Sequence, residues 1–139
     1  MNKSGTARAL ALRFLDAAQS LHAEFEGAMA QVGLSPAKFG VLAQLARAGS
    51  PVPLGELAAG QGCVRSNMTQ LTDRMEADGL VRRVDDVEDR RSIRAVLTPS
   101  GAERYAAGRR QLARLTRRFD AALSTGDRAA LERVLTAIG

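Results

Sequence analysis

The sequence predicts a mainly α-helical chain with a small β-hairpin wing, an α+β arrangement of a winged helix-turn-helix lobe flanked by terminal dimerisation helices. Three observations predict it. Apolar residues recur at helical spacing over most of the 139 residues, one pair of short β-capable runs is joined by a charged tip, and that pair directly follows two helices separated by a glycine-containing turn.

The elements follow in order. From about residue 6 to 31, Leu10, Phe14, Leu21, Phe25 and Met29 recur at intervals of 4, 7, 4 and 4, the stripe of a long amphipathic helix. Gly33 stops it, and Ser35 with Pro36 reads as an N-cap followed by proline at the first helical position. That second helix carries Phe39, Val41, Leu42 and Leu45 until Gly49. A short extended piece at Pro51 to Pro53 precedes a brief third helix, Leu54 to Gly60, with Leu57 and Ala58 inward and a turn at Gly60 and Gly62. A fourth helix from about Arg65 to Asp78 buries Met68, Leu71, Thr72 and Met75 and ends at Gly79. Leu80 to Val84 and Ile93 to Leu97 form the hairpin, with DDVEDRRS as its tip. Thr98 and Pro99 open a helix striped with Tyr105, Leu112, Leu115, Phe119 and Leu123, and Ser124 with Asp127 reads as a capping box for a last helix bearing Leu131, Val134, Leu135 and Ile138.

Length allows one domain, residues 1–139, with a winged lobe at 34–100 and a helical dimerisation region at 1–33 and 101–139. Apolar residues at 45% and charged residues at 25% describe a chain that folds. No apolar run is long enough to span a bilayer and the N-terminus lacks a signal-peptide pattern, so the expected location is the cytoplasm, with no membrane partner. A single cysteine, Cys63, excludes an internal disulfide, and a single histidine, His22, leaves no cluster of soft metal ligands; neither a cofactor nor a metal is expected. No nucleophile elbow, phosphate loop or adjacent nucleophile–base pair occurs, which disfavours an enzyme. The net charge is +5, from 20 basic and 15 acidic residues, and all but two of the basic ones are arginine. Guanidinium groups suit phosphates and base edges, although genome base composition explains the same bias.

The two most specific segments are RSNMTQLTDRMEADGLVRR, from Arg65 to Arg83, and VEDRRSIRAVLTPSG, from Val87 to Gly101. Met75, Glu76, Gly79, Leu80 and Val81, then Asp89 and Arg91, then Leu97, Thr98 and Gly101 resemble the end of the recognition helix, the wing and the following strand of the MarR family. LSPAKFGVLAQLA, Leu34 to Ala46, is similar to that family's second helix, so the resemblance covers nearly the whole chain. It implies a homodimeric regulator that binds double-stranded DNA, a repressor relieved by a small ligand, often aromatic or anionic, in a cleft between the dimerisation helices and the DNA-binding lobe.

The residues support that reading independently. On the fourth helix, Arg65, Ser66, Asn67, Thr69, Gln70 and Arg74 lie off the apolar face, and Asn and Gln suit adenine while Arg suits guanine or phosphate. An ordinary solvated helix face is the plainer alternative. At the wing, Arg90 and Arg91 stand between two strands and are positioned for a narrow minor groove. The resemblance assigns the groove contact to Arg91, with Asp89 expected to hold the wing arginines by an ion pair. Arg82, Arg83 and Arg94 are candidates for backbone phosphates. Residues 63 to 94 hold seven arginines and seven acidic residues, so Asp85, Asp86 and Glu88 are expected to turn away from DNA or to restrict it.

The family usually has a Ser or Thr cap where Val64 stands, and Ser66 is an alternative cap that would shift the helix start by two residues. The family's hydroperoxide sensors use a cysteine near the start of the first helix, where this chain has none; Cys63 reads as a small apolar residue, or else as a thiol switch. Phe14, His22, Met29 and Phe39 are candidates for the ligand cleft, and Leu10, Leu112, Leu115, Phe119, Leu131 and Leu135 for dimerisation. The competing functions are a winged-helix module that docks a protein and a thiol-based redox sensor or enzyme dependent on Cys63.

Overall fold

The computed structural model describes residues 3–89 and 91–139, with side chains of the first helix described from residue 9 onward. Six helices and three strands follow the order α1 (Lys3–Ala30), α2 (Pro36–Ala48), β1 (Val52–Pro53), α3 (Leu54–Gln61), α4 (Arg65–Ala77), β2 (Val81–Asp85), β3 (Ile93–Leu97), α5 (Pro99–Ala121) and α6 (Thr125–Ile138). Local chemistry sets most of the boundaries. The Ser35 hydroxyl accepts the Lys38 amide at 3.2 Å, and Gly49 closes α2 with φ +64°, its amide bonded to the Leu45 carbonyl. Ser124 and Asp127 complete the expected capping box at α6, each side chain accepting the other residue's amide at 3.1 Å.

The hairpin is part of a three-stranded antiparallel sheet in the order β1-β3-β2. Five residue pairs zip β2 to β3, from Val81 opposite Leu97 to Asp85 opposite Ile93. The Pro51–Pro53 piece, expected as a short strand, supplies the third strand of the sheet, with Val52 opposite Ala95 and Pro53 opposite Arg94. Proline is tolerated there because β1 is an edge strand and needs no donor on its open side.

One core fills the space between α2, α3, α4 and the sheet. Val41, Leu42, Leu45, Leu57, Met68, Met75, Leu80, Val81 and Ala95 are fully or almost fully buried, and Met29 from α1 and Leu34 join them. Thr72 is buried with them, and its hydroxyl has no hydrogen-bond partner among the described residues. Two glycines let α5 approach. At Gly108 a Cβ would lie 2.7 Å from the Phe39 ring. At Gly101 it would collide with the Leu80 carbonyl oxygen and sit 2.9 Å from a Leu97 methyl. The Thr98 hydroxyl donates to the Gly79 carbonyl at 2.6 Å and accepts the Gly101 amide at 3.0 Å, while the Thr98 amide donates to the Leu80 carbonyl at 3.2 Å. This joint roots α5 on the turn between α4 and β2.

The terminal helices are different. α1 packs on α5, but every described side chain from residue 9 to 20 is exposed, and α6 has no buried residue. Leu10 is 64% exposed, Leu12 56%, Leu15 51%, Val134 46%, Leu135 48% and Ile138 63%.

Candidate nucleic-acid interface

The exposed face of α4 is fixed by what its other face buries. Met68, Thr72 and Met75 anchor the helix in the core, which leaves Arg65, Ser66, Asn67, Gln70 and Arg74 in solvent. Neither Arg65 nor Arg74 forms an ion pair among the described residues. The Thr69 hydroxyl turns back to donate to the Arg65 carbonyl at 3.0 Å. The helix starts at Arg65 with Val64 as N-cap and no side-chain cap bond, so Ser66 does not take over capping. Its early amides remain available to an anion.

Two acidic residues of α4 tie it to the wing. Arg83 on β2 reaches Asp73 Oδ1 at 2.7 Å and Glu76 Oε1 at 3.2 Å, and its amide donates to Glu76 Oε2 at 2.7 Å. The amide bond is the main reason the Glu76 carboxyl titrates below its ordinary value, and the Arg83 guanidinium adds to it. Arg83, expected as a phosphate contact, thus has its Nε and Nη1 held by two carboxylates of α4. Arg94 is likewise engaged, with Nε and Nη2 at 3.2 and 3.0 Å from Asp86 Oδ2. Asp86 also accepts the Glu88 amide at 3.1 Å, the first cause of its lowered carboxyl pKa, ahead of Arg94. Of the three phosphate candidates only Arg82 is exposed and without an ion pair among the described residues.

At the tip, Asp89 forms no ion pair with an arginine side chain among the described residues. Its carboxylate accepts the backbone amide of Arg91 at 3.0 Å, and its carbonyl accepts the Ser92 amide at 2.9 Å. It shapes the turn instead of neutralising it, the usual local role of an aspartate side chain two residues before its donor. The Arg91 side chain is exposed; Arg90 lies outside the described residues. Asp85 and Glu88 are exposed as well.

The ligand-cleft candidates separate. Met29 is fully buried and Phe39 is 8% exposed; Phe39 packs on Tyr105 at 5.5 Å and edge-on to Phe25 at 6.2 Å. Both are core, and α5 closes over Phe39 at Gly108. Phe14 is 40% exposed on α1. Only His22 lines a cavity, of about 400 Å³ between α1 and α5, together with Phe25, Leu112, Leu115, Phe119 and Asp120. Three dimerisation candidates thus belong to a wall of that cavity: Leu115 is buried, Leu112 half-buried and Phe119 exposed. Leu10 and Leu135 are exposed and Leu131 is half-buried. Cys63 is half-buried at a second cleft beside Asn67 and Gln70.

A model of the MarR family matches residues 32–92, from the end of α1 through the wing. The chain belongs to the MarR family. It is 36% identical over 101 residues, 71% of this chain, to the transcriptional activatory protein BadR of Rhodopseudomonas palustris. It is 33% identical over 97 residues, 68% of this chain, to the HTH-type transcriptional repressor MdtR of Bacillus subtilis. The matches span only 58% and 62% of those two MarR-type relatives. Over almost its full length the chain resembles the transcriptional repressor CouR bound to a 23-mer DNA duplex, at 28% identity and TM-score 0.83, covering 99% of this chain and 97% of that one. The fold is thus a MarR winged helix. Among the described residues no helix is long and apolar enough to cross a membrane.

Proposed function

We propose that this MarR-family chain is a sequence-specific DNA-binding transcriptional repressor that acts as a homodimer and is relieved by a small ligand. The observation that carries the reading is the exposed polar face of α4 held beside a wing with an exposed Arg91. An α-helix of this kind fits the major groove and a tip arginine the adjacent minor groove. The CouR complex supports it, since that protein shares this fold and is bound to a duplex.

The alternative of protein docking finds little on this face. Aromatic anchors are absent from the described part of α4 and the wing, and the large exposed apolar residues gather on α1, α5 and α6, with only Val64 and Val87 in the lobe. Those terminal stripes favour a second copy of the chain as their cover. A twofold pair would present two α4 helices to half-sites about 34 to 36 Å apart.

Selection of bound sequences from a random duplex pool tests the proposal. The expected result is an inverted repeat with half-sites one helical turn apart, and Asn67→Ala or Gln70→Ala relaxing particular positions by about 1–3 kcal/mol. A pool that never enriches, or enriches a single asymmetric site, refutes it.

A further inference from the structure

The polar face of α4 carries two acidic residues, and both are held by one arginine of the wing. Within Arg65–Ala77, Arg65 and Arg74 stand against Asp73 and Glu76, so the helix has no net charge of its own. Asp73 follows Gln70 by three residues and Ser66 by seven, which places its exposed side chain in their row, away from buried Met68, Thr72 and Met75. Glu76 follows Asp73 by three, on the flank of that face turned toward β2. A bare carboxylate at either place would confront a duplex that carries one negative charge per about 1.7 Å. Arg83 lies across both, its Nη1 2.7 Å from Asp73 Oδ1 and its Nε 3.2 Å from Glu76 Oε1, which uses two edges of one planar guanidinium.

Ion pairs this open to water add little to stability. Their effect on an approaching polyanion is larger, because pairing removes two negative charges from the face of the helix while Arg65 and Arg74 keep theirs, neither forming an ion pair among the described residues. The lobe's other ion pairs are sited elsewhere: Arg94 engages Asp86 within the wing, and Lys38 engages Asp78 beyond the end of α4. We infer that Arg83 masks the α4 carboxylates, making the reading helix electropositive toward DNA through Asp73 and Glu76 and without itself gripping a phosphate. This rests on the proposed binding of DNA by α4, and it gives Arg83 a role different from the phosphate contact that its position in the sequence suggests.

Three variants test it by fluorescence anisotropy on an operator selected with the parent protein: Arg83→Gln, Arg83→Lys, and a triple variant that adds Asp73→Asn and Glu76→Gln to Arg83→Gln. Glutamine at 76 still offers an oxygen to the backbone amide of residue 83, so the main-chain tie between α4 and β2 remains. At low salt and with circular dichroism unchanged, Arg83→Gln should bind about tenfold or more weakly, since it uncovers both carboxylates. Arg83→Lys should recover most of that loss, because charge is what the masking needs. The triple variant should return to within about threefold of the parent, because nothing is left to mask. A phosphate contact predicts instead a loss that persists in the triple variant, with the salt slope lowered by about 1. A mechanical brace predicts the same persistence, since the triple variant lacks both halves of the brace. A persistent loss, or an Arg83→Gln protein that binds as tightly as the parent, overturns the inference and leaves DNA binding by α4 standing. A parent protein that selects no operator overturns the inference together with the reading it rests on.

Discussion

Replacing Gly101 with alanine reverses an ordinary rule. In a helix, Gly→Ala stabilises by about 0.8–1 kcal/mol, because alanine has less backbone freedom to lose. Gly101 lies in the first turn of α5, buried against the lobe, and its added methyl would meet the Leu80 carbonyl, which is backbone and cannot rotate away, with Leu97 2.9 Å off on the other side. Relief requires α5 to lift from the α4–β2 turn, which stretches the 2.6 Å bond from Thr98 to Gly79 and the 3.2 Å bond from Thr98 to Leu80. Overpacking costs about 1–3 kcal/mol, and each weakened hydrogen bond about 0.5–1.5 kcal/mol. After the propensity gain, the net expectation is a loss of about 1–5 kcal/mol. Gly55→Ala is the control: nothing lies within 4 Å of its added methyl, so the same substitution should stabilise by about 0.4–1 kcal/mol. Urea unfolding at one fixed protein concentration measures both. A Gly101→Ala protein as stable as the parent would refute the close approach of α5 to the wing.

Four further outcomes are expected. Arg91→Ala should weaken binding to a selected operator while circular dichroism stays unchanged, and anisotropy at two salt concentrations reads it; undiminished binding at both salts removes the wing from the interface. Thr72→Val should stabilise by about 1 kcal/mol, because the buried hydroxyl has no partner to lose; a lower urea midpoint would mean that the hydroxyl is satisfied. Glu76 and Asp86 titrate below their ordinary values of 4.5 and 3.8 when folded, so their stabilisation is complete above those values and drains away as pH falls through the lower folded ones. The thermal midpoint should therefore drop on that acid side, less steeply in Glu76→Gln, and identical acid profiles for the two proteins would refute the role of the clamp. Leu10→Lys and Leu135→Lys, on exposed stripes, should shift sedimentation toward the monomer, whereas Leu115→Lys should first lower stability, since Leu115 is buried within its own chain.

Helices were legible in the sequence wherever one face is apolar and a cap is local. The Ser35 cap, the Gly49 and Gly79 ends and the Ser124–Asp127 box all depend on residues within one turn of each other. The two-residue strand at Val52–Pro53 carries no periodicity, and only its pairing with Ala95 and Arg94 makes it a strand. Charge was less legible than hydrophobicity. Arg83 and Arg91 look alike in sequence, yet one is held by Asp73 and Glu76 and the other is exposed, because the Gly79 turn folds β2 back along α4. Phe39 and His22 looked equally suited to a cleft; the gap at Gly108, more than 60 residues from Phe39, is what draws Phe39 into the core. Leu112 and Leu115 share the stripe of Phe119, and no pattern distinguishes a stripe that covers its own α1 from one that awaits another chain.

The grip of Asp73 and Glu76 on Arg83 settles what can move. With side chain and backbone both held, α4 and the wing are tied together as one jaw. In the proposed dimer, a displacement of one such jaw against the other would reach DNA as a change in the preferred spacing of half-sites, with the bases preferred within each half-site unchanged.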